Sequence, residues 1–194
     1  MSNLLPIRTY GDPILREPSR PVDAITPEIN ELIDDMFATM KASQGCGLAA
    51  QQIGRTEAVC VIDIPESHDL EEEKDEAPRL NPDVPLRLVL INPRIIEASS
   101  NTWGLEEGCL SFPDITGSVE RAWSIVVEHL GLDGQPTTTK LQGFFARAAQ
   151  HEMDHLAGTL FVDRFSYVKK LAVRNKLKHL QEDTRANLPA RQLG

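Results

Sequence analysis

The pentapeptide at 151–155, His-Glu-Met-Asp-His, limits what this chain can fold into more than any other stretch. On a helix the two imidazoles stand one turn apart on one face, roughly 6 Å from each other, with Glu152 rotated by about 100°. Two such histidines can converge on one divalent ion, and the carboxylate then flanks the open coordination position, where a general base belongs. The run from Phe144 to Gln150 leads in without Gly or Pro and Gly158 follows as a stop signal, so the pattern predicts a helix. A helix that carries two histidines by accident is the plain alternative. A third ligand has to decide.

The identity of that ligand separates the metallohydrolase families. A metzincin site needs His six residues after the second histidine; position 161 is Phe, which excludes it. A downstream carboxylate leaves Asp163 and Glu182. Upstream, Glu106-Glu107-Gly108-Cys109-Leu110-Ser111 offers a thiolate in a short extended stretch. Gly108 there lets the backbone approach an ion closely, and the Leu110 N–H falls near the same place. Earlier still, Gly45-Cys46-Gly47-Leu48-Ala49-Ala50-Gln51-Gln52 is made of small residues and ends in an amide suited to present an oxyanion donor.

With these segments on the page, the chain resembles the peptide deformylases. That family's three motifs are Gly-x-Gly-φ-Ala-Ala-x-Gln, Glu-Gly-Cys-φ-Ser and Gln-His-Glu-x-Asp-His, where φ is hydrophobic. They stand here at 45–52, 107–111 and 150–155, in order. The resemblance runs from Tyr10-Gly11-Asp12-Pro13-Ile14-Leu15-Arg16 to Leu160-Phe161-Val162-Asp163 and so covers most of the chain. One departure is Cys46, where the family usually has an aliphatic residue. The resemblance implies one divalent metal on Cys109, His151 and His155, with water completing the site. Ferrous iron is the implied metal, although ligand type alone favours zinc, and nickel or cobalt are working substitutes.

The implied reaction is hydrolysis of the formamide at the N-terminus of a formyl-methionyl nascent peptide. In it Glu152 moves the proton, while the Gln52 amide and the Leu110 N–H receive the oxyanion. Gly45, Cys46, Gly47 and Gly108 are expected to bind the peptide backbone, and Phe144, Arg147 and Ala148 the methionine side chain. Glu107 and Arg121 are expected to pair and hold the metal-binding loop. Two rival readings are a zinc metallopeptidase with Asp163 or Glu182 as third ligand, and a non-catalytic, ribosome-associated protein with a structural metal.

The rest of the sequence frames this site. At 194 residues and 41% hydrophobic content the chain is read as a single domain, 1–194, without repeats. No leader-like or membrane-spanning run stands in it, and three cysteines make no disulfide framework, so a cytoplasmic protein without a membrane partner is expected. Thr26-Pro27-Glu28 reads as a helix start before a stripe of Ile29, Leu32, Ile33, Met36, Phe37 and Met40. Residues 57–64, 86–92 and 123–128 read as strands, with Cys60 in the core. The expected class is α+β: antiparallel sheets packed around a central metal-binding helix, with a C-terminal helix.

An acidic segment, 65–85, reads as a solvated, mobile insertion, and His68, His129 and His179 lack partners at ligand spacing. Residues 163–194 hold eight Lys/Arg against three Asp/Glu, giving +5 and leaving −14 on the remainder for the net −9. Within them a basic helix is expected over 167–182, with an apolar stripe of Val173, Leu177 and Leu180. The family resemblance implies that such a helix approaches the ribosome near the exit tunnel; docking on its own domain is the alternative.

Overall fold

The computed structural model describes residues 2–70 and 77–188 of the chain. Helix α1, Pro27–Ala42, starts where Thr26 Oγ1 accepts from the Ile29 N–H, with Pro27 in its first turn. Its stripe, Ile29, Leu32, Ile33, Met36, Phe37 and Met40, is buried throughout. Five antiparallel strands form the main sheet: β1 (Gly47–Ala49), β2 (Val59–Asp63), β3 (Arg87–Ala98), β6 (Ser124–Leu130) and β7 (Pro136–Gln142), in that spatial order. A second, two-stranded sheet pairs β4 (Thr102–Gly108) with β5 (Thr116–Ala122).

Strand β2 has no polar face because both of its faces are covered. Val59 and Val61 pack into the α1 cluster, whereas Cys60 and Ile62 pack with Phe145, Ala146 and Ala149 of helix α2, Gly143–Leu156. The period of two along a strand sends alternate residues to opposite layers, so β2 reads as a continuous apolar run. Helix α2 is thereby enclosed. One side lies on the main sheet, and another presents Arg147, His151 and His155 toward the end of β4.

A third cluster joins Phe112, Ile115 and Val119 to Leu160, Phe161, Phe165 and Val173. Burying a side chain such as Phe161 contributes about 2–3 kcal/mol. Helix α3, Tyr167–Asn187, is capped by Ser166 and docks through Val173, with Leu177 and Leu180 packed against the same cluster. It extends beyond the expected 182, and its apolar stripe lies on the domain. Among the described residues no helix is long and apolar enough to cross a membrane.

Strands β1, β4, β5 and β7 do not stand out in the sequence. β4 and β7 are polar and largely exposed, so neither shows the alternation that marks a half-buried strand. The segment 65–85 also differs from a freely solvated insertion at its shoulders. Asp69 is fully buried; it pairs with Arg79 at 2.8 Å and accepts from Asn81, which in turn bonds the backbone of Gln142 at the start of α2. Leu70 and Arg79 form a β-bridge across the segment. The acidic run at 71–76 lies outside the described residues.

Candidate metal centre

His151 and His155 lie on one face of α2, with ring centroids 5.2 Å apart. Cys109 follows the last residue of β4, and the main sheet and the β4–β5 hairpin press the two elements together around α2. Cys109 Sγ stands 3.3 Å from His155 Nε2, and one donor atom from each of Cys109, His151 and His155 falls within 4.8 Å of the others. A tetrahedral ion bound at 2.0–2.3 Å separates its ligand atoms by roughly 3.4–3.6 Å, so the three can hold one divalent cation with little movement. Neither carboxylate alternative reaches them. Asp163 engages Arg16 and the Leu160 N–H, and Glu182 sits on α3 3.8 Å from Lys178.

Burial would lower His151, yet its bonds to Cys109 and Glu107 raise it to about 10. Burial depresses His155 far below its ordinary value, with the charge on His151 adding to the effect, and its Nδ1 has no partner among the described residues. Burial also raises Glu152 to about 7, and Glu152 Oε2 is likewise without a partner among the described residues. A thiol, two imidazoles and a carboxyl competing in this way suit a cation that the ligands share. His151 Nδ1 is 3.0 Å from Glu107 Oε2, which leaves Nε2 as its ligand atom. Glu107 is itself held well below the usual carboxylate range: burial opposes its charge, but hydrogen bonds from Arg121 and His151 prevail.

Gln52 is fixed from two directions. Its Oε1 accepts the Ala49 N–H at 2.8 Å, while Nε2 donates to Ser111 Oγ at 3.2 Å and lies 3.5 Å from Cys109 Sγ. One amide hydrogen therefore faces Cys109 while the other is held by Ser111. The Leu110 N–H has no acceptor among the described residues. On the other side Gly47 abuts the carboxylate: a Cβ there would collide with the Glu152 side chain and displace it, so glycine leaves Glu152 its place beside β1. A cavity of about 450 Å³ opens over these groups, walled by Leu110, Phe112, Ile115, Phe144 and Ala148, with Gly45, Cys46, Gly47 and Gly108 on its rim.

Comparison with known proteins agrees with this geometry. A family model described as polypeptide deformylase matches residues 4–171. The chain belongs to the polypeptide deformylases. Among curated relatives, the peptide deformylase of Acinetobacter baumannii (strain SDF) is 41% identical over 177 residues, 91% of this chain and 92% of that one. A crystal form of the Plasmodium falciparum peptide deformylase superposes with a TM-score of 0.81 at 36% identity, covering 94% of this chain and 99% of that one. A class I type b peptide deformylase from Acinetobacter baumannii, solved with Met-Ala-Ser bound, superposes at 0.73 and 39% identity, over 85% of this chain and 100% of that one.

The expected ligands, Glu152, Gln52, Leu110 and the expected peptide and methionine contacts lie around this one cavity, whereas Asp163 and Glu182 lie apart from it, and the surroundings differ from expectation in two respects. Arg147 lines the cavity, but its guanidinium is turned to Glu107, Val119 O and Trp103 O and is not free for a side chain in the pocket. Glu107 and Arg121 pair at 2.8 and 2.9 Å as expected, and the pair is part of a longer chain: Arg121 Nη1 also reaches Asp154 at 2.7 Å, which Arg164 covers from outside. Asp154 stands inside the pentapeptide, so a charge beside a metal ligand was the available signal for it. Of the remaining histidines, two are satisfied or stacked and His179 is exposed on α3. His129 bonds Leu130 O and Thr139 Oγ1, and His68 lies edge-on to Phe144, with ring centroids 4.9 Å apart.

Proposed function

We propose that this deformylase removes the formyl group from the N-terminus of formyl-methionyl nascent polypeptides as formate, using a divalent metal on Cys109, His151 and His155. The observation that carries the reading is the convergence of those three ligands beside a buried, unpartnered Glu152 in a cavity open to substrate. A divalent ion bound there supplies Lewis-acid chemistry, polarising the formyl oxygen and making water acidic enough to lose a proton near neutrality. Glu152 accepts that proton and passes it to the departing amine. Gln52 Nε2 and the Leu110 N–H donate to the oxygen that gains charge during attack.

The peptide adds along β1, an edge strand of the main sheet, so that its backbone pairs with Gly45, Cys46 and Gly47 on one side and Gly108 on the other. Main-chain bonds of this kind read no sequence. The methionine side chain enters the apolar part of the cavity between Phe144 and Ala148. A ferrous ion is our choice for the metal in the cell, and a donor set of one thiolate and two imidazoles also suits zinc, nickel or cobalt. We further infer action in the cytoplasm at the ribosome near the exit tunnel. There the exposed Arg174 and Lys178 of α3 face RNA, flanked by Lys170 and Lys176, which also bond Asp163 O and Asp114 O.

Formate release from formyl-Met-Ala-Ser by anaerobically purified protein tests the activity, with metal analysis of the same sample. Rapid release from that peptide and none from its acetyl counterpart is expected. Equal rates on the two peptides would contradict the assignment.

A further inference from the structure

Glu107 is the carboxylate through which the β4–β5 sheet grips His151, and both of its oxygens are engaged twice. Oε1 accepts from Arg121 Nε at 2.8 Å and from Arg147 Nη1 at 2.5 Å. Oε2 accepts from Arg121 Nη2 at 2.9 Å and pairs with His151 Nδ1 at 3.0 Å. Arg121 alone satisfies the charge by a bidentate fork. Arg147 is therefore not needed for neutrality, and its presence at 2% exposure asks for another explanation.

Its geometry provides one. Arg147 lies on α2 one turn before His151, on the same face. Its Nη1 also donates to Val119 O at 2.9 Å, its Nη2 to Trp103 O at 2.5 Å, and its guanidinium carbon sits 4.5 Å from the Trp103 ring centroid. Every one of these contacts holds the guanidinium plane, and the plane holds Oε1. A carboxylate gripped only by Arg121 can pivot about that fork; gripped from both sides, it cannot. Because Oε2 orients the His151 Nδ1–H, such a pivot would pass directly to Nε2.

We infer that Arg147 is a positioning residue of the metal centre, clamping Glu107 so that His151 presents Nε2 in one orientation. The inference rests on the proposed site at Cys109, His151 and His155. The competing explanation is that Arg147 merely ties α2 to β4 and β5 through the two carbonyls. A residue of that kind would alter thermal stability without acting through Glu107.

The test is a double-mutant cycle read as the rate at which nickel-loaded protein loses its ion to excess chromogenic chelator. Arg147→Met and Glu107→Gln should each speed loss by about 10–100-fold, the range for partners that orient a metal ligand. Because both act through one carboxylate, the double variant should exceed Glu107→Gln by no more than about twofold. A full multiplicative effect in the double variant would show that Arg147 acts independently of Glu107 and would overturn the inference. So would loss from Arg147→Met within about twofold of the parent. Should Arg147→Met not fold, as judged by the melting of metal-free protein, Arg147→Lys serves in its place. It keeps the charge without the fork and should fall between parent and Glu107→Gln; loss at the parent rate would again overturn the role. Failure of the site itself looks different, because the parent would then take up no nickel.

Discussion

Glu152 and Cys46 share one cavity, and burial pushes the proton affinity of both upward, but with opposite chemical results. For Glu152, raised to about 7, it makes a carboxylate basic enough to take a proton from water and acidic enough to return it. Glu152→Gln should therefore keep one metal per chain while formate release falls about 10²–10⁴-fold. Metal analysis with the formate assay reads both, and near-parent turnover would remove Glu152 from the role. For Cys46, burial first and then the Glu152 charge raise the thiol to about 11, so it stays protonated and slow to oxidise. Peroxide should then inactivate the ferrous form equally fast in the parent and in Cys46→Val; protection by the valine would place the oxidised sulfur at Cys46. His151, His155 and Glu152 were legible because their spacing is local, whereas Cys109 was reached through the motif that carries the family resemblance. Arg147 was not legible, because its meaning depends on Glu107, forty residues away in the chain.

At the scale of elements, the stripe of α1 could be read from its helical periodicity, and β2, β3 and β6 from their apolar, β-branched runs. The β4–β5 hairpin could not, although it carries Glu107 and leads into Cys109. Its outer face is solvated, and on its inner face the buried charges of Glu107 and Arg121 interrupt the apolar pattern that Val119 alone would give. The shoulders of 65–85 are the converse case, where a polar stretch contains a buried ion pair. Asp69→Ala should cost about 3–5 kcal/mol, because Arg79 and Asn81 lose the acceptor they enclose. Chemical denaturation measures this loss, and the folded fraction should keep its formate release. A destabilisation under 1 kcal/mol would mean that the knot is only a surface contact.

For the whole molecule, two covered faces of one sheet and a hairpin closing over α2 bring distant segments to a single buried site. The motif order announced that convergence without giving its geometry. The same arrangement leaves α3 on the outside, docked by Val173, Leu177 and Leu180; Lys170 and Lys176 reach back to Asp163 O and Asp114 O, and Arg174 and Lys178 are exposed. Arg174→Glu with Lys178→Glu leaves that docking intact and should abolish ribosome co-sedimentation at low salt with formate release unchanged. Unaltered co-sedimentation would make the basic face a solvated one. The most direct measurement concerns the centre itself: formate release from formyl-Met-Ala-Ser after chelation and after reloading with ferrous ion, for the parent and for Cys109→Ala. The parent should lose release on chelation and regain it on reloading, while Cys109→Ala should neither retain a metal nor recover. Undiminished release from metal-free parent protein would contradict a metal centre on Cys109, His151 and His155.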